Sequence, residues 1–113
     1  MEESLYAKMR GKGRFDVNLK GAYSMKQDGP PHKECRITNL SSSGATVYFP
    51  RTENLSNGSV VAIDIPIPKT IIRIAVEAEI MWTRERFSEL ISGIRFTGML
   101  SDTIIRQLTK KTP

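Results

Sequence analysis

From Phe15 to Met25 the odd positions read Phe, Val, Leu, Gly, Tyr, Met, and the even positions Asp, Asn, Lys, Ala, Ser. A period of two predicts a strand with one buried face. Lys26-Gln27-Asp28-Gly29-Pro30-Pro31 follows, which is turn chemistry that a strand interior does not tolerate. Alternation resumes from Lys33 to Asn39, with Cys35 and Ile37 on one side, and Gly44 to Phe49 is a further β-rich run that stops at Pro50. The serine turn Ser41-Ser42-Ser43 joins these two, and Arg51 to Gly58 is a polar loop. Val61, Ile63, Ile65 and Ile67 mark the next apolar side, closed by Pro66 and Pro68. Ile72, Ile74, Val76, Ala78, Ile80 and Trp82 form the cleanest stripe, with Arg73, Glu77, Glu79 and Thr83 opposite. Arg84 to Glu89 reads as a charged turn, and Leu90, Ile94 and Phe96 line a last strand.

The final segment changes period. Ser101 can cap a helix, Asp102 suits its positive start, and Ile104, Ile105 and Leu108 share one helical face. Lys110 and Lys111 fall at the negative end. A helix of about three turns is marginal alone and must dock on the strands. About six short strands and one helix predict a small antiparallel barrel or sandwich with a terminal helix.

With 113 residues the chain is long enough for one domain, and 39% hydrophobic with 26% charged residues is the balance of a soluble globular protein. One cysteine, Cys35, rules out an intramolecular disulfide framework and a cysteine-rich zinc site. Cys35 reads as a small buried hydrophobe, and the single histidine, His32, has no histidine partner. Glu77 and Glu79 lie on an exposed strand face and read as solvated rather than as a catalytic pair. The expectation is a protein that is not an enzyme and holds no metal. Met1-Glu2-Glu3-Ser4 lacks a secretory flank and no stretch approaches the ~20 apolar residues of a membrane helix, so the expected location is cytoplasmic, with no membrane partner. A net charge of +5 invites an anionic partner, or reflects a solvated surface.

Two segments carry candidate chemistry. Lys8-Met9-Arg10-Gly11-Lys12-Gly13-Arg14 places four cations at alternate positions with no acid between them. It reads as a phosphate or nucleotide clamp, since arginine forks onto phosphate oxygens and stacks on bases, or as a solvated basic tail. Asn39-Leu40-Ser41-Ser42-Ser43-Gly44 offers an amide and a hydroxyl able to read a base edge, or is a plain β-turn. Trp82 ends an apolar stripe and reads as core or as a ligand contact; Arg95 points out of the core between Ile94 and Phe96.

Together, Arg10-x-x-x-Arg14 and Asn39-x-Ser41-x-x-Gly44 resemble the two-part signature of the PilZ domain family. Glu79-Ile80-Met81-Trp82 resembles the strand that ends in tryptophan in many members, Gly93-Ile94-Arg95-Phe96 the last barrel strand, and Leu100-Ser101 the start of the terminal helix. The resemblance implies an all-β fold: a six-stranded antiparallel barrel with a C-terminal helix over residues 15–111, preceded by a flexible basic arm, residues 1–14. It further implies a receptor for cyclic di-GMP, with no cofactor, that changes conformation on binding and signals to a separate output protein. Arg10 and Arg14 are then the clamp on phosphates and guanine, Asn39 and Ser41 read guanine, and Gly44 leaves room and shapes the turn. Trp82 and Arg95 match positions that touch ligand in some members. Asn39 stands where aspartate is the commoner choice in the family.

Two rival readings remain. A PilZ-like adaptor without nucleotide is opposed by the intact motif residues. A barrel for single-stranded nucleic acid needs exposed aromatics, whereas Phe15, Tyr23, Phe96 and Trp82 fall on apolar stripes.

Overall fold

A computed structural model describes residues 14–51 and 53–109. The alternating segments become six strands: β1 (Phe15–Met25), β2 (Lys33–Leu40), β3 (Gly44–Pro50), β4 (Val60–Pro66), β5 (Arg73–Arg86) and β6 (Glu89–Phe96). One helix, α1 (Asp102–Thr109), follows them. Each strand pairs antiparallel with its neighbours in the order β1-β2-β3-β6-β5-β4, and β4 returns to β1, so the sheet closes into a barrel rather than a sandwich. Closure removes the exposed strand edges that would otherwise invite other chains to pair.

The inward positions are those that period two selects. Cys35, Ile37, Val47, Phe49, Val61, Ile63, Ile65, Ala78 and Ile80 are buried in one core. Tyr23 meets Phe49 edge to face, with ring centroids 4.8 Å apart. Burial pushes the Cys35 thiol up to about 12, helped by the neighbouring Glu34 charge, so this cysteine packs as an uncharged hydrophobe. α1 starts as expected: the Ser101 hydroxyl accepts from the Ile104 amide at 3.2 Å. Leu100, Ile105 and Leu108 add to the barrel core. The eight described residues make about two turns rather than three. Lys110 and Lys111 lie outside the described residues.

Four expectations are corrected. Arg84 to Glu89 is not a turn: β5 runs to Arg86, β6 starts at Glu89, and only Phe87 and Ser88 connect them. The charged residues there line an exposed two-stranded ribbon, and Phe87 takes the left-handed backbone (φ 54°) that so tight a hairpin needs. Ile72 leaves the stripe, because β5 begins one residue later and Ile72 belongs to the hairpin tip, 55% exposed. Trp82 is outside the core, since the β5–β6 register shifts between Ile80 and Trp82. Phe15 is also exposed, beyond a register shift in β1 between Asp16 and Leu19. Of the four aromatics placed on apolar stripes, Tyr23 and Phe96 are inside, while Phe15 and Trp82 are not.

One buried polar cluster fastens the polar loop to the barrel. The fully buried Tyr23 donates its hydroxyl to Glu53 Oε2, and Lys33 Nζ lies 3.2 Å from the same oxygen. The Tyr23 hydrogen bond holds the Glu53 carboxyl below its ordinary range, against the opposing effect of burial, and Lys33 adds to the lowering. A depressed folded-state value stabilises the fold above the unfolded glutamate range, about 4.3, and that contribution is lost as pH falls through the folded value. Two outcomes are expected. Tyr23→Phe should lower stability at neutral pH by about 1–3 kcal/mol, the worth of one hydrogen bond to a charged group. Glu53→Gln should flatten the loss of thermal stability below about pH 5, measured by melting at a series of pH values.

Candidate functional site

The outer face of the barrel is built in cross-strand rows. Asn39 on β2 pairs with Asp16 on β1 and Thr46 on β3; Thr46 pairs with Gly93 on β6, and Gly93 with Trp82 on β5. The neighbouring row is Gly44, Arg95 and Glu79. Register shifts in β2, between Ile37 and Asn39, and in β5, between Ile80 and Trp82, set the ends of the first row. A bulge inserts one residue and so re-aims the side chains beyond it, which is why bulges recur beside binding sites.

Two glycines keep this face flat. A Cβ on Gly44 would stand 2.2 Å from the Ile94 carbonyl oxygen, so β3 and β6 approach there only because the side chain is missing. A Cβ on Gly93 would stand 2.1 Å from Trp82 Nε1: the indole lies across the glycine. Trp82 is 39% exposed, and the Arg84 guanidinium carbon sits 5.4 Å from its ring centroid, within cation–π range. Arg95 points outward and donates from Nη2 to Glu79 Oε1 at 2.9 Å.

The turn beside this face is tied down from two directions. The Ser41 amide donates to the Gly44 carbonyl at 2.8 Å. The Ser41 hydroxyl accepts from the Gly44 amide at 3.2 Å and the Ser43 amide at 3.3 Å. That hydroxyl therefore holds the shape of the turn. Beyond it, the Ser42 and Ser43 carbonyls accept from the Leu100 and Phe96 amides, each at 2.8 Å, which joins the turn to the segment leading into α1.

The two sequence motifs meet at one hydrogen bond. Arg14 Nη1 donates to Asn39 Oδ1 at 2.8 Å, across 25 residues of chain. Arg14, Asn39, Ser41 and Gly44 thus cluster around the end of β2 and the turn after it, with Arg95 paired to Gly44 and Trp82 two strands beyond Thr46. Arg10 lies outside the described residues. Thr46 and Arg84 were not singled out from sequence as site residues, and Glu79, read there as solvated, is the partner of Arg95. Gly93, a glycine inside a strand, carried a readable signal of close approach. The arrangement offers cations, an amide, an exposed indole and a flat backbone surface, which suits a planar anionic ligand. Among the described residues no three His, Cys, Asp or Glu side chains group as a metal site.

Residues 9–111 match the PilZ domain family. The chain belongs to that family. Among solved structures, the PilZ domain resembles the inhibitor of motility MotI/DgrA of Bacillus subtilis, with a TM-score of 0.63 at 13% identity over 86% of this chain and 46% of that one. It also resembles YcgR of Escherichia coli, solved in complex with c-di-GMP, with a TM-score of 0.61 at 20% identity over 84% of this chain and 40% of that one. At these identities the likeness is one of fold, and this PilZ domain spans less than half of either protein. No curated protein matches it in sequence.

The two glycines give a paired expectation. Gly44→Ala meets backbone and should destabilise the domain by about 1–3 kcal/mol in chemical unfolding. Gly93→Ala meets a side chain, so it should displace the indole and change the emission of Trp82, the single tryptophan of the chain, with a smaller stability loss.

Proposed function

We propose that this PilZ domain is a cytoplasmic receptor for cyclic di-GMP that binds the ligand on the face around Asn39 and passes the signal to a partner protein. The observation that carries the reading is the 2.8 Å bond between Arg14 and Asn39. It brings the end of the basic arm against the base-reading turn, the convergence that a shared ligand requires. The ligand found with YcgR is the second support.

The division of labour follows from the ligand's chemistry. Two phosphates call for Arg10 and Arg14, whose guanidinium groups fork onto oxygens and stack on guanine faces. Guanine's N–H donors call for an acceptor, and Asn39 Oδ1 supplies one once Arg14 turns from it to the ligand. Ser41 acts chiefly by holding the turn, since its hydroxyl already bonds within it. Gly44 keeps the surface open beside that turn. Trp82 offers a stacking wall, and Arg95 a second cation whose charge is partly balanced by Glu79.

Exchange of the Arg14–Asn39 bond for ligand bonds is also the proposed origin of the signal. Arg14 exchanges its contact with the barrel for the ligand, and the partner reads the altered surface. No catalytic step is part of this function.

Calorimetric titration with cyclic di-GMP tests it. Saturable binding is expected, with Arg14→Ala weakening it by about ten- to a hundredfold, the worth of a charge-assisted bond. Asn39→Asp should tighten binding, because a carboxylate accepts from two guanine donors at once. A wild-type protein that binds no nucleotide would overturn the receptor reading and leave the adaptor. Binding indifferent to Arg14→Ala would overturn the site assignment alone.

A further inference from the structure

The barrel carries an apolar feature unrelated to the nucleotide face. Between Pro66, the end of β4, and Arg73, the start of β5, the chain turns through Ile67-Pro68-Lys69-Thr70-Ile71-Ile72. Ile71 is 99% exposed, the highest value for any large apolar side chain among the described residues, and Ile72 is 55% exposed beside it. Ile67 anchors the other limb of the turn in the barrel core.

The turn is braced from within. The Ile67 amide donates to the Ile72 carbonyl at 2.9 Å, and the Thr70 amide to the Ile67 carbonyl at 3.2 Å. The Thr70 hydroxyl donates to the Ile67 carbonyl at 2.9 Å and accepts from the Ile72 amide at 3.0 Å. Pro68 has no amide hydrogen. Three of the five amide donors of the tip, those of Ile67, Thr70 and Ile72, are therefore spent internally, which lowers the cost of moving it out of water. Lys69 takes a left-handed backbone, φ 66°, where glycine or asparagine would be cheaper. That position adds a cation at the tip. Arg73, at the foot of the other limb, pairs with Asp64 at 2.6 Å and keeps 46% of its side chain exposed.

We propose that the β4–β5 tip docks the domain on an anionic lipid bilayer, with Ile71 and Ile72 entering the interface and Lys69 and Arg73 resting among the headgroup phosphates. This inference is independent of the nucleotide reading. A bilayer fits better than a protein pocket for two reasons. The tip is small and convex, short of the roughly 800 Å² per partner of a stable protein interface. It also presents aliphatic surface and cations with few open backbone donors, and a bilayer supplies hydrocarbon and anionic charge without asking for matched hydrogen bonds. The lack of a ~20-residue apolar span excludes a crossing helix and leaves interfacial docking by a two-residue tip open.

The test is co-sedimentation of the full chain with vesicles of phosphatidylcholine, with and without phosphatidylserine. The wild type is expected to bind the serine-containing vesicles weakly and reversibly. Ile71→Ser/Ile72→Ser should weaken that binding about tenfold or more, with an unchanged melting temperature. Ile71→Ser alone, at a side chain that touches little, should show part of the same loss. Lys69→Gln should reduce the preference for phosphatidylserine. Absence of wild-type binding to either vesicle, or equal binding by the double variant, would overturn the proposal; the second result would leave charge alone as the cause.

Discussion

A closed barrel forces each strand residue to face either the core or the outside, and register shifts alone change the side. Everything functional in this domain depends on where those shifts fall. The interior is filled by Tyr23, Phe49 and the isoleucine and valine stripes, which pack as one buried core. The shifts in β2 and β5 end the inward run at Ile37 and Ile80 and set Asn39 and Trp82 at the ends of one outer row. A strict period of two through β5 would instead have buried Trp82 below Ile80.

The second constraint is that a flat outer face must be made rigid without a pocket around it. Here the serines do that work. Ser41 satisfies the turn's amides, and the Ser42 and Ser43 carbonyls are bonded to the chain entering α1. The helix is thereby coupled to the turn that carries Ser41 and Gly44, and its docking through Ile105 and Leu108 holds that turn in place. A short helix with little intrinsic stability is thus a structural support for the candidate site.

The fold was largely legible in the sequence because alternation reports burial directly. Ile63 and Ile65 behave as their spacing says, and so does the Ser101 cap. The failures have local causes. Trp82 was misplaced because nothing in Ile80-Met81-Trp82 announces a bulge, and Ile72 because an isoleucine at a hairpin tip continues the pattern of the strand beside it. Arg84 to Arg86 looked like a turn because an exposed ribbon and a loop are both charged. Asn39, Ser41, Gly44 and Arg14 are candidates through family resemblance, whereas the Arg14–Asn39 contact and the row through Thr46 and Gly93 needed the register of four strands.

A filled six-stranded barrel leads to a particular kind of recognition. In the proposed receptor the ligand would bind on the surface, where a flat face alone leaves half of it in water. Gly44 and Gly93 keep the backbone surface bare of side chains, and Trp82 stands over Gly93 as one wall. In the proposed function the cover would come from chain outside the barrel, and the basic residues preceding β1 carry the charge for it. Arg14 stands at that junction, bonded to Asn39 and directly ahead of Phe15. With its side chain on Asn39, the acceptor is occupied; with its side chain on a phosphate, the acceptor is free for a base. Under the proposed function, a single arginine would therefore link occupancy of the face to the chain that enters β1.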